Sequence, residues 1–154
     1  MKAKMIAVTL VLCFAGVAVC FAEDPNMGTW KLNEAKSKLS AGVQKNNMVV
    51  YEPAGDSVKI TLDGTSGDGQ STHTEWTGKF DGKGYPVTGD PASDSRSYKR
   101  VNARTLAFTA RKDGKVTMSG RIAVSADGKT RTVTSNGTDA MGKKVSWTSV
   151  YDKQ

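Results

Sequence analysis

His73 is the chain's one histidine, and Glu75 follows it two positions on. In an alternating strand that spacing puts an imidazole and a carboxylate on one face, the minimum for a general acid–base pair. The same alternation turns Trp76 and Phe80 to the opposite face. His73 and Glu75 therefore meet solvent and lack the burial that tunes catalytic groups. They read as surface side chains, and no enzyme is expected. Both cysteines, Cys13 and Cys20, fall within the first 22 residues. Beyond them, a zinc site would have one histidine and only carboxylates to complete it, so no metal site is expected. The glycine-rich stretches 64–69 and 82–84 join strands and do not lead into a helix. They cannot use a helix N-terminus to cradle phosphate, and no cofactor is expected. Most carboxylates stand in Asp-Gly turns, where aspartate bonds its own backbone.

With little reactive chemistry, the sequence speaks chiefly of elements. Residues 1–22 read as a signal peptide: Lys2 and Lys4, an apolar run, then Cys20-Phe21-Ala22 as a cleavage site. Lipid attachment at Cys20 is a minor alternative, since Val19 is a poor residue to precede it. Residues 23–154 form one domain, secreted or periplasmic, and monomeric by expectation. Alternation predicts strands over 26–32, 46–52, 57–62, 71–80, 96–101, 105–111, 115–125, 130–135 and 145–151. Residues 33–40 allow a turn or two of helix. Pro86 and Pro91 make 85–94 a loop or a short edge segment. Gly120 suggests a bend or bulge. Short Asp-Gly connections favour hairpins, so the fold class is all-β: an antiparallel up-and-down meander barrel of about 8–10 strands.

Barrel interiors are read from alternation. Ile60, Trp76, Phe80, Leu106, Phe108, Met118, Ile122, Trp147 and Tyr151 face inward and are the candidate cavity lining. Val58, Leu62, Val116 and Val124 share those faces. Small inward residues (Thr72, Thr74, Gly78, Gly120, Ser149) leave space, which favours a cavity over a solid core. The expected ligand is small and apolar or amphipathic, and lipid-like.

The net charge of +7 is unevenly spread. Residues 23–94 hold seven Lys/Arg and eleven Asp/Glu, a net of −4; residues 95–154 hold thirteen and four, a net of +9. Arg96, Arg100, Arg111, Arg121 and Arg131 are expected to cluster on a basic side. That supports an alternative: a solid barrel docking an anionic partner, an acidic membrane or a lipopolysaccharide surface. Nucleic acid is not expected, because export argues against it and Tyr98 is the one exposed aromatic candidate among those cations.

Gly28-Thr29-Trp30 opens the first strand. This Gly-x-Trp resembles the opening motif of lipocalins, and the resemblance implies that Gly28 and Trp30 close the barrel base. The run Val145-Ser146-Trp147-Thr148-Ser149-Val150-Tyr151 resembles the closing strand of fatty-acid-binding proteins, which are also calycins. The opening is also similar to small exported bacterial proteins that begin Gly-Thr-Trp-Lys-Leu. Fatty-acid-binding proteins carry an arginine two residues before the terminal tyrosine; here Ser149 takes that place, so the resemblance brings no carboxylate anchor. The helical lid of that family and the C-terminal helix of lipocalins have no counterpart.

Overall fold

The computed structural model describes residues 23–139 and 141–154. The leader read at 1–22, with its two cysteines, lies outside the described residues. Ten strands follow in order: β1 (Gly28–Leu32), β2 (Lys45–Ala54), β3 (Ser57–Thr65), β4 (Ser71–Gly78), β5 (Asp81–Thr88), β6 (Ser95–Asn102), β7 (Thr105–Lys112), β8 (Lys115–Val124), β9 (Thr130–Thr138) and β10 (Lys144–Lys153). Each pairs antiparallel with the next, and β1 pairs β10 to close the barrel. Among the described residues the helical content is one 3-10 turn, Glu34–Lys36, whose cap Asn33 accepts the Lys36 N–H. The meander follows from the hairpins. Asp113 and Gly114 both adopt positive φ, 49° and 75°, as a two-residue turn matched to strand twist requires.

One stretch differs from its sequence reading. The stretch 85–94, read as a loop or a short edge segment, begins inside a full strand, β5 over 81–88, and Pro86 pairs opposite Ser95 of β6. The prolines did mark a weak place. β5 meets β4 at only two register pairs, Glu75 with Thr88 and Trp76 with Val87. Nine pairs join β9 to β10. Pro86 supplies no N–H, and Gly82 and Gly84 supply no side chain, so β5 has little with which to hold a second neighbour.

Two further expectations are corrected along β8. Gly120 is no bulge, because its register to Phe108 and Ser135 is unbroken. It is a close approach instead. A Cβ there would stand 2.0 Å from the Thr134 carbonyl oxygen and 2.7 Å from the Phe108 ring. The irregularity lies nearer the strand's start, where Ala110 pairs Met118 but Arg111 pairs Val116. The extra residue, Thr117, breaks the alternation. Val116 thus stands 57% exposed while Met118 stays against the core.

The two barrel ends differ. At one end the chain itself forms a plug. Trp30 is fully buried, and its indole N–H donates to the Asn26 carbonyl at 2.9 Å. Arg100 pairs with Asp24 across this end, over the Phe80 ring. At the other end the connections around residues 42–44, 66–68, 90–92 and 138–139 ring an open mouth.

Candidate ligand-binding site

The interior divides by strand. On the β4–β6 side, aromatic rings fill it. Trp76 lies 4.7 Å from Tyr98 and 5.7 Å from Tyr85, edge to face, and stacks on Phe80 at 6.4 Å. Its indole N–H donates to the Arg96 carbonyl at 2.9 Å. Gly78 makes this possible, since a Cβ there would meet both Trp76 and Tyr85 at 2.6 Å. Ile60, Trp76, Phe80 and Leu106 therefore pack as core and line neither cavity, contrary to their reading as ligand contacts. The rings that were to hold a ligand hold each other. Tyr98 is corrected in the same way: it is buried, 3% exposed, not a surface aromatic.

The opposite side is open. A cavity of about 370 Å³ at the mouth is lined in part by Val43, Gln44, Asn46, Met118 and Trp147. Beneath it lies a chamber of about 60 Å³. Asn46, Arg96, Met118 and Trp147 border both, so the two spaces meet there. Of the cavity candidates read from the sequence, Phe108, Met118, Ile122, Trp147 and Tyr151 line the chamber. Small residues do line the chamber: Ser149 on β10, as read from the sequence, and Ser135 on β9, while Thr72, Thr74, Gly78 and Gly120 do not.

Two arginines also line the chamber. Arg96 is 6% exposed and Arg131 2%, so neither belongs to an outer basic side. This overturns their reading as surface cations. The physical reason is phase. Arg131 shares its strand face with Val133 and Ser135, and Arg96 shares its face with Tyr98; those faces turn inward. Among the other three, Arg121 is exposed, Arg111 half-buried, and Arg100 half-buried in its pair with Asp24.

The two buried cations are treated differently. Arg96 Nη2 meets Asp90 Oδ2 at 2.8 Å, and both side chains are buried. Arg131 has no carboxylate partner among the described residues. Its guanidinium instead lies over three rings: Tyr151 at 4.7 Å, Tyr51 at 5.0 Å and Trp30 at 5.3 Å. Such faces attract a cation, by about 2 kcal/mol or more when water is excluded. They leave the in-plane N–H groups unserved. Arg131 Nε and Nη1 and Arg96 Nε find no acceptor among the described residues. The tyrosines cannot supply a counter-charge. Burial pushes the hydroxyl pKa of both Tyr51 and Tyr151 up, so both stay neutral.

The sequence missed Arg131, Arg96, Tyr51 and Tyr98 as interior residues. Tyr51 was legible: it alternates with Val49 on β2, and both are buried. Trp30, read as the barrel base, roofs Arg131 from the plugged end.

His73 stays outside. Its Nδ1 meets Asp63 Oδ1 at 2.6 Å across the β3–β4 ladder, while Glu75 Oε1 lies 3.7 Å from Nε2 and pairs with Lys59 at 2.8 Å. The bond to Asp63 raises the His73 pKa. Among the described residues, no group of three or more His, Cys, Asp or Glu is placed to hold a metal ion.

No family model and no curated protein matches the chain. Among solved structures it is similar to EF1p2_mFAP2b bound to DFHBI, at 14% identity over 84% of this chain and 94% of that one, with a TM-score of 0.49. It is similar to the redesigned β-barrel mFAP1 bound to DFHBI, at 18% identity over 84% and 95%, with a TM-score of 0.46. The redesigned β-barrel b11L5F_LGL is 15% identical over 88% and 97%, with a TM-score of 0.43.

Proposed function

We propose that this chain is an exported, calycin-like binding barrel for a compact amphipathic acid. The ligand's acidic group sits beside Arg131 and its apolar body lies toward Met118 and Trp147. One observation supports the reading: among the described residues, Arg131 is a buried cation with no carboxylate partner and two guanidinium nitrogens without an acceptor, on a chamber that shares its lining with the mouth. A buried charge left unpaired costs several kcal/mol even after relaxation. An anion entering the chamber recovers part of that cost. The apolar and small lining gives the ligand's body a place, as in most small-molecule sites.

Octanoate, octanol and octylammonium share one tail and differ in head charge, and binding can be read by tryptophan fluorescence and calorimetry. Octanoate is expected to bind saturably, at least ~10-fold tighter than octanol. Octylammonium should bind weakest. Arg131→Met should erase the gap between octanoate and octanol. If none of the three binds, the barrel is not a small-ligand site. Equal binding of all three keeps the cavity and discards the acid.

A further inference from the structure

Arg96 is a second buried cation on the same chamber, yet it is not equivalent to Arg131. Asp90 stands in the loop between β5 and β6, with its side chain 4% exposed. Three groups fix it: Arg96 Nη2 at 2.8 Å, the Ala92 N–H at 2.9 Å, and the Ser93 hydroxyl. Two guanidinium groups therefore line the chamber, and the one carboxylate among the described residues that engages either of them, Asp90, lines the mouth cavity that Arg96 also borders. Tyr51 and Tyr151 stay neutral in the chamber. The other carboxylates of the mouth, Asp68 and Asp139, are tied up in their own turns. Asp68 accepts from the Ser66 hydroxyl, and Asp139 accepts the Met141 and Lys143 N–H groups.

We propose that Asp90 sets the charge of the acid this barrel accepts: by neutralising Arg96 it leaves one free positive charge, at Arg131, and selects a singly charged head over a doubly charged one. The inference rests on the acid-binding reading above. Its logic is exclusion as much as attraction. A second negative charge approaching Arg96, where chamber and mouth meet, would find that cation already engaged and would be repelled by the buried Asp90 carboxylate in a setting where water screens little. Arg96 Nε, buried without an acceptor, marks the place a second charge would occupy if Asp90 were neutral.

Octyl sulfate and octyl phosphate test this directly. Their heads are both tetrahedral, but at pH 8 the sulfate carries one charge and the phosphate close to two, since the second phosphate pKa is about 6. The unaltered protein is expected to bind octyl sulfate about 10-fold tighter than octyl phosphate. Asp90→Asn keeps the shape and an oxygen for the Ala92 N–H while removing the charge. In that variant octyl phosphate should equal or overtake octyl sulfate. The double variant Asp90→Asn, Arg96→Met removes both members of the pair and should restore the sulfate preference. It also keeps the test open if the single variant fails to fold. Three results overturn the inference: a phosphate preference in the unaltered protein, an unshifted ratio in Asp90→Asn, or a phosphate preference in the double variant. If neither probe binds the unaltered protein, acid binding and charge selection fall together; if both bind and the ratio never moves, acid binding stands alone.

Discussion

Arg131 and Lys59 carry the same charge in one barrel, and water treats them differently. Lys59 lies on the outer face of β3, half-exposed, and meets Glu75 at 2.8 Å. Around it, His73 pairs with Asp63 on the same outer ladder. Each of these charges has a partner and also has solvent, so each partner matters little: exposed pairs are worth about 0–1 kcal/mol. Arg131 is 2% exposed and has neither solvent nor, among the described residues, a carboxylate. The chemistry that was easiest to find in the sequence, His73 with Glu75, sits where environment weakens it. The chemistry that was hard to find sits where environment strengthens it.

The interior pair provides the largest way to break this contrast. Arg96→Met removes one partner of a buried ion pair and leaves Asp90 without its cation. Stability should fall by about 3–5 kcal/mol. Denaturant unfolding followed by circular dichroism reads this directly. A loss below about 1 kcal/mol would mean that water reaches Asp90 and that the interior resembles the outer face.

Trp30→Ala attacks the plug and should also be severe. Trp30 is fully buried, its N–H is bonded to Asn26, and its ring lies 5.3 Å from both Arg131 and Lys153. Removing a large buried aromatic costs about 3–5 kcal/mol. An unchanged thermal midpoint would show that the closed end needs no plug. Arg131→Met has the opposite sign. Desolvation of an unpaired cation costs several kcal/mol, and the three rings return only part of it. The variant should gain about 1 kcal/mol, at the low end of what replacing buried ions by apolar residues yields. The residue that destabilises the fold is then the one that would hold the ligand. A clear loss of stability would instead make Arg131 a structural member of the aromatic cage.

Much of the architecture was legible because it rests on period and turns. The closed meander and most strand positions followed from two-residue alternation and Asp-Gly hairpins. Pro86 pointed to a loop or a short edge segment, and it marks a strand with only two pairs on one side. The site was less legible, for a definite reason. Alternation says which residues share a face but not which face turns inward when both carry polar groups. On β9, Arg131, Val133 and Ser135 oppose Thr132, Thr134 and Asn136, and neither set looks like a core. The neighbours decide it: Arg131 stands opposite Tyr151 of β10 and Val124 of β8, both buried. On β6, Tyr98 fixes the phase of Arg96 in the same way. Charge was assigned to the surface by habit of residue type, and the register overrules type. Val116 shows the converse, an apolar residue sent outward by one extra residue in β8.

The smallest expected effect concerns the outer ladder. His73 is the chain's only histidine, so a single imidazole resonance reports its titration. Its bond to Asp63 raises its pKa above the ordinary histidine value of about 6.5. Because the folded value is the higher one, the pair's contribution to stability is fully present below pH 6.5. It is lost as pH rises through the folded value. The exposed position and added salt both keep that contribution small. Asp63→Asn should bring the resonance midpoint back toward 6.5, and salt should do part of the same. Neither change should move octanoate binding, since His73 and Arg131 are on opposite surfaces of the barrel wall. A His73 midpoint at or below 6.5 in the unaltered protein would remove the Asp63 bond from the account of the outer face. A shift in octanoate affinity on Asp63→Asn would show that the wall does not insulate the interior charges, and the contrast between Lys59 and Arg131 would lose its basis.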